Sequence, residues 1–375
     1  MPHLAVFLAS VVAALAATPV VRWLAIRWRA IDKPSDRKVH PQPTPTLGGV
    51  ALWFAVLVGL GVAYLIPSFR SLFDVSLEPL GAAVAGTVIV ALGVYDDVRG
   101  MAAPAKVAGQ ILASGLLILF GVQLLYFWLP GLGILSLSPD VAVPATLLWA
   151  LVMINAVNLI DGLDGLAAGV VVIAAAAFFT YAFRTGESIF AGPSPASLLS
   201  AVVAGSALGF LPYNFHPAKI FMGDSGSMLL GLLLAAATIS GVGRTDAPTN
   251  TELAALALPV VIPLLVLAVP FTDVVLAIIR RVRRGRKVYA PDKEHIHHRL
   301  LEIGHSHRAA VLLMYLWSAL LAAAALAITF IRSTELAVGL LMVVAAVLVG
   351  TSLPRMLRRG RPASAGARTE GPPAG

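Results

Sequence analysis

The chain contains no cysteine, which excludes disulfide bonds, thiolate metal sites and cysteine nucleophiles. Charge is scarce as well. Charged residues make up 12% of the chain, whereas a soluble globular protein carries about 25%. So few charged side chains cannot cover a folded chain of 375 residues with a polar surface. Only 19 residues are acidic, so an aspartate inside an apolar stretch needs a physical reason.

Long apolar runs take the place of the missing charge. Hydrophobic residues make up 58% of the chain, and the mean hydropathy is +0.88. About 20 apolar residues suffice for a helix to cross a bilayer. The sequence therefore predicts an all-α, polytopic integral membrane protein with about eleven transmembrane helices over residues 1–354 and a disordered basic tail over residues 355–375. The predicted spans are Leu4–Trp28, Leu47–Pro67, Leu80–Tyr95, Ala105–Val122, Val141–Val157, Leu163–Phe183, Leu198–Tyr213, Ser225–Val242, Leu253–Ile279, Ala309–Ile331 and Leu336–Leu353.

The basic residues predict the orientation. Arg70, Arg184, Arg244 and Arg332 fall on one side of the membrane, and the rest of the 27 basic residues fall on or toward the other. An excess of Lys and Arg marks the cytoplasmic side, so we expect the N-terminus outside and the C-terminus in the cytoplasm. Topology and anionic lipid headgroups explain the net charge of +8 without a nucleic-acid partner.

The polar clusters all fall at the predicted cytoplasmic face. They are DKPSDRKVHPQPTPTLGG (32–49), YDDVRG (95–100), VNLIDGLDG (157–165), FMGDSGS (221–227) and KEHIHHRL (293–300). Because loops that are far apart in the sequence reach the same side of the membrane, we expect them to form one site.

Asp96 and Asp97 are adjacent at the inner end of a predicted span. Neighbouring carboxylates near lipid repel each other and are costly to ionise unless a cation or a proton lies between them. The pair therefore predicts either a divalent metal site or a general base. The alternative is a solvated helix end at which Arg99 pairs with one of the carboxylates.

Asn158, Asp161 and Asp164 follow each other at intervals of three residues. Gly162 and Gly165 favour a turn or a broken helix, and glycine lets the backbone approach a phosphate closely. Amide and carboxylate oxygens are the ligands that Mg²⁺ or Mn²⁺ prefers. The alternative is an interhelix turn in which Asp164 caps the next span.

Asp224 stands at the start of a predicted helix, followed by Ser-Gly-Ser. It is a good candidate for the N-cap of that helix. A helix N-terminus also offers backbone N–H groups to an anion, so a metal on Asp224 and a phosphate at the following amides would reinforce each other. Asn214 and Lys219, upstream, add an amide and a cation at the same depth.

Three histidines, His295, His297 and His298, lie beside Arg299. Zinc is poorly supported, because the chain has neither cysteine nor an HExxH motif. Imidazole and guanidinium groups suit a nucleotide diphosphate or a sugar better.

Other polar residues are expected to be less central. His305 and His307 are expected to be solvated loop residues. Asp273 lies inside the ninth predicted span, where a carboxylate is a functional candidate by default. We expect Asp273 to support the residues of the site without contacting the substrate itself.

The motifs together resemble a known family. DKPSDRKVHPQPTPTLGG, YDDVRG with PAKVAGQ, NAVNLIDGLDGLAAG, FMGDSGSMLLG and EHIHHRL occur in that order between Asp32 and Leu301. They resemble the polyprenyl-phosphate N-acetylhexosamine-1-phosphate transferases, of the glycosyltransferase family 4 type, and most of all the bacterial undecaprenyl-phosphate GlcNAc-1-phosphate transferases. NLIDGLDGLA and MGDSGS are specific, whereas a DD pair is not. Gly100 stands where the family often has a third acid.

The resemblance implies a reaction. UDP-N-acetylhexosamine and undecaprenyl phosphate would give undecaprenyl-diphospho-sugar and UMP, with Mg²⁺ or Mn²⁺ as cofactor. The enzyme would be a multi-pass protein of the bacterial plasma membrane, in a family where homodimers are common. Direct displacement is favoured over a covalent phospho-sugar enzyme.

The resemblance also implies residue roles. Asp224 and Asn158 would hold the metal, and Asp96 or Asp97 would position or deprotonate the lipid phosphate. Asp161 and Asp164 would hold the nucleotide or sugar, or orient the metal ligands. The expected substrate-binding residues are Arg37, Lys38, His40, Asn214, Lys219, His295, His297, His298 and Arg299.

Two other functions remain open at this point. Acids beside glycine-rich helix breaks also occur in ion-coupled secondary transporters, although no inverted repeat is visible and the acids lie at one face rather than at the midplane. The second is the phospho-N-acetylmuramoyl-pentapeptide transferase branch of the same family. That branch usually carries three adjacent histidines in the last cytoplasmic loop, and here they are interrupted. The exact sugar and the envelope polymer do not follow from the sequence.

Overall fold

Long α-helices make up most of the computed structural model, which describes residues 2–32, 43–129, 133–190, 192–242 and 304–330, with positions 268, 283, 285, 300, 335, 339 and 342–347. A 3₁₀ turn at Pro67–Phe69 precedes the short helix α3. The helices in these ranges are α1 (Pro2–Arg27), α2 (Gly48–Leu65), α3 (Arg70–Val75), α4 (Glu78–Arg99), α5 (Ala103–Leu119), α6 (Pro139–Ile160), α7 (Leu166–Phe190), α8 (Pro195–Asn214), α9 (Gly223–Val242) and α10 (His307–Phe330).

Eight described helices are long and apolar enough to cross a membrane, namely α1, α2, α4 and α6 to α10. Helix α5 is apolar but shorter. The all-α, polytopic prediction is therefore confirmed. Each predicted span up to Val242, and the span Ala309–Ile331, coincides with a described helix. Of the predicted span Leu253–Ile279 the structure describes only position 268, and of Leu336–Leu353 only positions 339 and 342–347.

Helix α9 lies at the centre of the bundle. It packs against α2, α4, α6 and α8, and 89% of its span is buried. Small residues allow this close packing. Gly231 of α9 lies against the backbone of Ile154, and Gly93 of α4 lies against Ser225, with no room for a side chain at either glycine. The last turn of α4 is thereby brought onto the first turn of α9.

Two short hairpins interrupt the helical pattern. Strands β1 (Ile31–Asp32) and β2 (Thr44–Pro45) pair antiparallel. The carbonyl of Pro45 accepts a hydrogen bond from Phe221 N at 2.8 Å, which ties this hairpin to the segment before α9. Strands β3 (Tyr126–Leu129) and β4 (Gly133–Ser136) form the second hairpin, between α5 and α6.

Candidate active site

Asp97, at the end of α4, caps helix α9. Its Oδ1 accepts a hydrogen bond from Asp224 N (2.8 Å), and its Oδ2 accepts from Ser225 N (3.2 Å) and Ser225 Oγ (2.8 Å). The first N–H groups of a helix have no partner inside it, and the helix dipole favours a negative charge there. The capping role that was considered for Asp224 is therefore filled by Asp97, which comes from another helix.

The side chain of Asp224 contacts two further helices, α5 and α6. Its Oδ2 lies 2.6 Å from Lys106 Nζ, and its Oδ1 accepts from Asn158 Nδ2 at 2.5 Å. Lys106 also lies 3.0 Å from Asp96 Oδ2, so one lysine bridges two carboxylates. The ends of α4 and α6 and the starts of α5 and α9 therefore meet in one place. We call this group the acid pocket; its members are Asp96, Asp97, Lys106, Asn158, Asp161 and Asp224.

Asp161 lies in the turn between α6 and α7. Burial, followed by the negative charges of Asp224, Asp97 and Asp164, raises the pKa of Asp161 to about 8. Four carboxyl groups thus share the pocket with one lysine of the described chain, and an additional cation would stabilise their ionised forms. The net negative charge of these side chains therefore favours binding of a cation over binding of an anion.

Asp164 has different partners from the other acids. Its Oδ2 lies 2.7 Å from His216 Nδ1 and accepts from Ala218 N at 3.1 Å. The His216 ring stacks on that of His307, with 4.1 Å between ring centroids and an interplanar angle of 13°. We call Asp164, His216 and His307 the histidine cluster, since each places a ligand atom within 4.8 Å of the others.

Asn214 is buried and links two loops. Its Oδ1 accepts from Gly165 N at 3.2 Å, and its Nδ2 donates to Ile220 O at 3.0 Å. Lys219 is exposed, with its ammonium 5.9 Å from the centroid of the Tyr213 ring. The substrate-binding roles of Asn214 and Lys219 stay predictions, while the amide of Asn214 has a clear structural use.

The remaining predicted site residues lie in two segments outside the described residues. Strands β1 and β2 bracket the first of these segments. The residues concerned are Arg37, Lys38, His40, Asp273, His295, His297, His298 and Arg299.

The sequence analysis did not identify two kinds of site residue, a lysine and two histidines. Lys106 lies in PAKVAGQ, shortly after the YDDVRG motif. Its position near the start of the helix that follows the two aspartates could have indicated that it lies close to them. Arg99, the partner considered for the acid pair, instead lies over the Tyr95 ring at 5.8 Å. His307 is half-buried at the start of α10, so its prediction as a solvated loop residue is wrong. Isolated histidines such as His216 carried no sequence signal.

Comparisons with known proteins cover the helices that build this pocket. Residues 79–242 match the family described as glycosyl transferase family 4. A decaprenyl-phosphate N-acetylglucosaminephosphotransferase of Mycolicibacterium smegmatis is 43% identical over 355 residues, which are 92% of this chain and 86% of the relative. A probable undecaprenyl-phosphate N-acetylglucosaminyl 1-phosphate transferase of Bacillus subtilis is 37% identical over 83% of this chain and 80% of the relative. An undecaprenyl-phosphate alpha-N-acetylglucosaminyl 1-phosphate transferase of Escherichia coli is 28% identical over 78% and 74%, respectively.

Proposed function

The chain belongs to glycosyl transferase family 4, among the polyprenyl-phosphate N-acetylglucosamine phosphotransferases, and from this premise we propose that it transfers N-acetylglucosamine 1-phosphate from UDP-GlcNAc to a polyprenyl phosphate. An oxygen of the lipid phosphate bonds to the β-phosphorus of the donor, the bond from that phosphorus to the bridging oxygen breaks, and UMP leaves. The relatives have decaprenyl or undecaprenyl names, so the proposal covers both chain lengths. None of those names supports a transporter or the muramoyl-pentapeptide branch.

The acid pocket is the observation that carries the proposal. It lies at the ends of membrane-spanning helices, where a lipid phosphate in the bilayer surface and a water-soluble nucleotide sugar can meet. The excess of basic residues on this side supports the proposal that the pocket faces the cytoplasm from a bacterial plasma membrane. Lys106 lies beside Asp96 and Asp224, and its ammonium, together with a bound cation, would offset the negative charge that the substrate phosphates bring.

We propose Mg²⁺, with Mn²⁺ as the alternative, as the cofactor of the acid pocket. The donors that meet there are carboxylates and an amide, which are the oxygen ligands that these ions prefer. Asp224 and Asn158, already in contact, would hold the ion. When bound, such an ion polarises phosphoryl oxygens and neutralises charge on the leaving UMP.

Asp96 is the better of the two adjacent aspartates for contact with the lipid phosphate. Both oxygens of Asp97 are used by the N-terminus of α9, so Asp97 acts by holding Asp224 in position. The ion pair described for Asp96 uses Oδ2, which contacts the Lys106 ammonium. The second pKa of a phosphate monoester is about 6, so the acceptor is largely ionised at neutral pH and needs orientation more than deprotonation.

A transfer assay tests the proposal. Purified protein in detergent is given UDP-GlcNAc labelled in the sugar, Mg²⁺, and decaprenyl or undecaprenyl phosphate. We expect a lipid-linked label and one UMP for each sugar transferred, both abolished by EDTA. Label that crosses the membrane of proteoliposomes without release of UMP would contradict the proposal and favour a transporter.

A further inference from the structure

The histidine cluster lies beside the acid pocket, and no role in the transfer has been given above to two of its members, His216 and His307. Asp164 belongs to the turn between α6 and α7, His216 to the segment between α8 and α9, and His307 to the first turn of α10. Asp164 Oδ2 lies 2.7 Å from His216 Nδ1, and Asp164 N donates to His307 Nε2 at 3.1 Å. The cluster therefore joins three elements through one aspartate.

Two more side chains of α10 reach the same segments. Arg308 Nε donates to His216 O at 3.1 Å. The hydroxyl of Tyr315 donates to Gly165 O, and its ring fills the space beside Gly169, where a Cβ atom would not fit. We call His307, Arg308 and Tyr315 the α10 clamp. It contacts both the α6–α7 turn and the α8–α9 segment, so it fixes one relative to the other.

One ring nitrogen of each histidine is already engaged in a way that favours orientation over metal binding. Nδ1 of His216 pairs with the carboxylate, and Nε2 of His307 accepts from a backbone N–H. The rings are stacked nearly parallel, so their in-plane lone pairs do not converge on a common point. A hydrogen bond to a charged group is stronger than one between neutral groups and is geometrically demanding.

We infer that His216 and His307 are positioning residues that, with the α10 clamp, hold Asp164 and its turn in place for the nucleotide-sugar donor. The inference rests on the proposed function and on the role that the family resemblance implies for Asp164, which is to hold the nucleotide or the sugar of the donor. Both contacts that the described residues make to the Asp164 carboxylate use Oδ2, which leaves Oδ1 for a ligand. Loss of the clamp therefore weakens donor binding while the acid pocket, built by α4, α5, α6 and α9, keeps its geometry.

Steady-state kinetics with both substrates varied test the inference. In His216→Ala and His307→Ala we expect the KM for UDP-GlcNAc to rise at least about tenfold, because a charge-assisted contact or its support is lost. The KM for polyprenyl phosphate and kcat should stay within about threefold. His216→Asn and His307→Gln keep a polar atom near Nδ1 and Nε2, respectively, and should recover most of the donor affinity.

Controls separate positioning from a general loss of structure. Leu312→Ala changes an exposed residue of the same helix and should leave both KM values unchanged. Unchanged KM values in the two histidine variants would overturn the inference, as would an equal loss in every kinetic constant with a lowered melting temperature. Stoichiometric zinc in the purified protein that is lost in His216→Ala would overturn it in favour of a metal site.

A separate result would reject the proposed function without rejecting the inference. A wild-type protein that makes no lipid-linked sugar would reject the transferase, while direct titration of UDP would still test the positioning of Asp164. In that titration we expect the histidine-to-alanine variants to bind UDP at least about tenfold more weakly than wild type. Equal affinities would overturn the inference whatever the outcome of the transfer assay.

Discussion

The pairing of Lys106 with Asp96 and Asp224 shows how single residues set the chemistry of the pocket. Half-buried charges are costly unless an opposite charge is near, and this lysine lies within 3.0 Å of two carboxylates. A substrate phosphate or a metal ion entering the pocket would compete for the same partners. We therefore expect the removal of a single charge from this group to have a large effect on the transfer rate.

Asp224→Asn keeps the size of the side chain and removes its charge. We expect the transfer rate to fall roughly 100-fold or more, which corresponds to about 3 kcal/mol in the barrier. The physical reason is the loss of the carboxylate that faces Lys106 and that would hold the cation. Asp74→Asn, at an exposed position of α3, is the matched control and should leave the rate unchanged. Near-wild-type turnover of Asp224→Asn would remove Asp224 from the catalytic residues.

Asp161 predicts a pH dependence of stability. Its pKa is raised to about 8, so the folded protein holds a proton that the unfolded chain releases near pH 4. The folded state binds more protons between these values, and stability therefore falls as the pH rises from about 5 to 8. The melting temperature of wild type without divalent metal should decrease over this range. Asp161→Asn should match wild type at pH 5 and exceed it at pH 8; parallel curves would contradict the raised pKa.

Most residues of the acid pocket could be identified from the sequence. The residues that could not be identified were missed for a physical reason. Asp96, Asp161 and Asp224 are acids next to apolar spans, where a carboxylate is too costly to be incidental. Lys106 was missed, because a lysine in the first turn of a helix is also an ordinary anchor at the membrane surface. The partners of His216 were hidden, since they come from segments distant in the sequence.

At the scale of elements, the contact between α4 and α9 positions the pocket. Hydropathy predicted both helices, because each is an apolar run of membrane-spanning length. It did not predict that Asp97 caps α9, since the two residues of that contact, Asp97 and Ser225, are 128 positions apart. The β3–β4 hairpin was not predicted either, because the residues between two spans carry no hydropathy constraint.

Gly93 tests this contact. An alanine Cβ at this position would meet the backbone of Ser225, and overpacking typically costs about 1–3 kcal/mol. We expect Gly93→Ala to lower the melting temperature and the transfer rate together, because α4 and α9 move apart. Gly115→Ala is the matched control in α5, where a Cβ has open space, and should preserve both. A stable and fully active Gly93→Ala protein would show that the close approach is not required.

At the scale of the whole molecule, the alternation of spans brings the polar motifs 95–100, 157–165 and 221–227, which the structure describes, to the same end of the bundle. The described contacts join the ends of α4, α6 and α8 to the starts of α5, α9 and α10. The class of fold followed from composition alone, whereas the pairing of individual loops needed the tertiary structure. We propose that these residues form a single pocket on the cytoplasmic side of the membrane.

Cysteine labelling tests that claim most directly, since the chain has no cysteine of its own. Single cysteines are placed at the exposed residues Arg99, Gly162 and Pro217 of the site face and at Ser71 of α3, and variants that keep transfer activity are treated in intact cells with a membrane-impermeant maleimide. We predict that only Ser71→Cys is labelled from outside and that the other three react after permeabilisation. Labelling of any one of those three in intact cells would place the loops in different compartments and contradict the shared pocket.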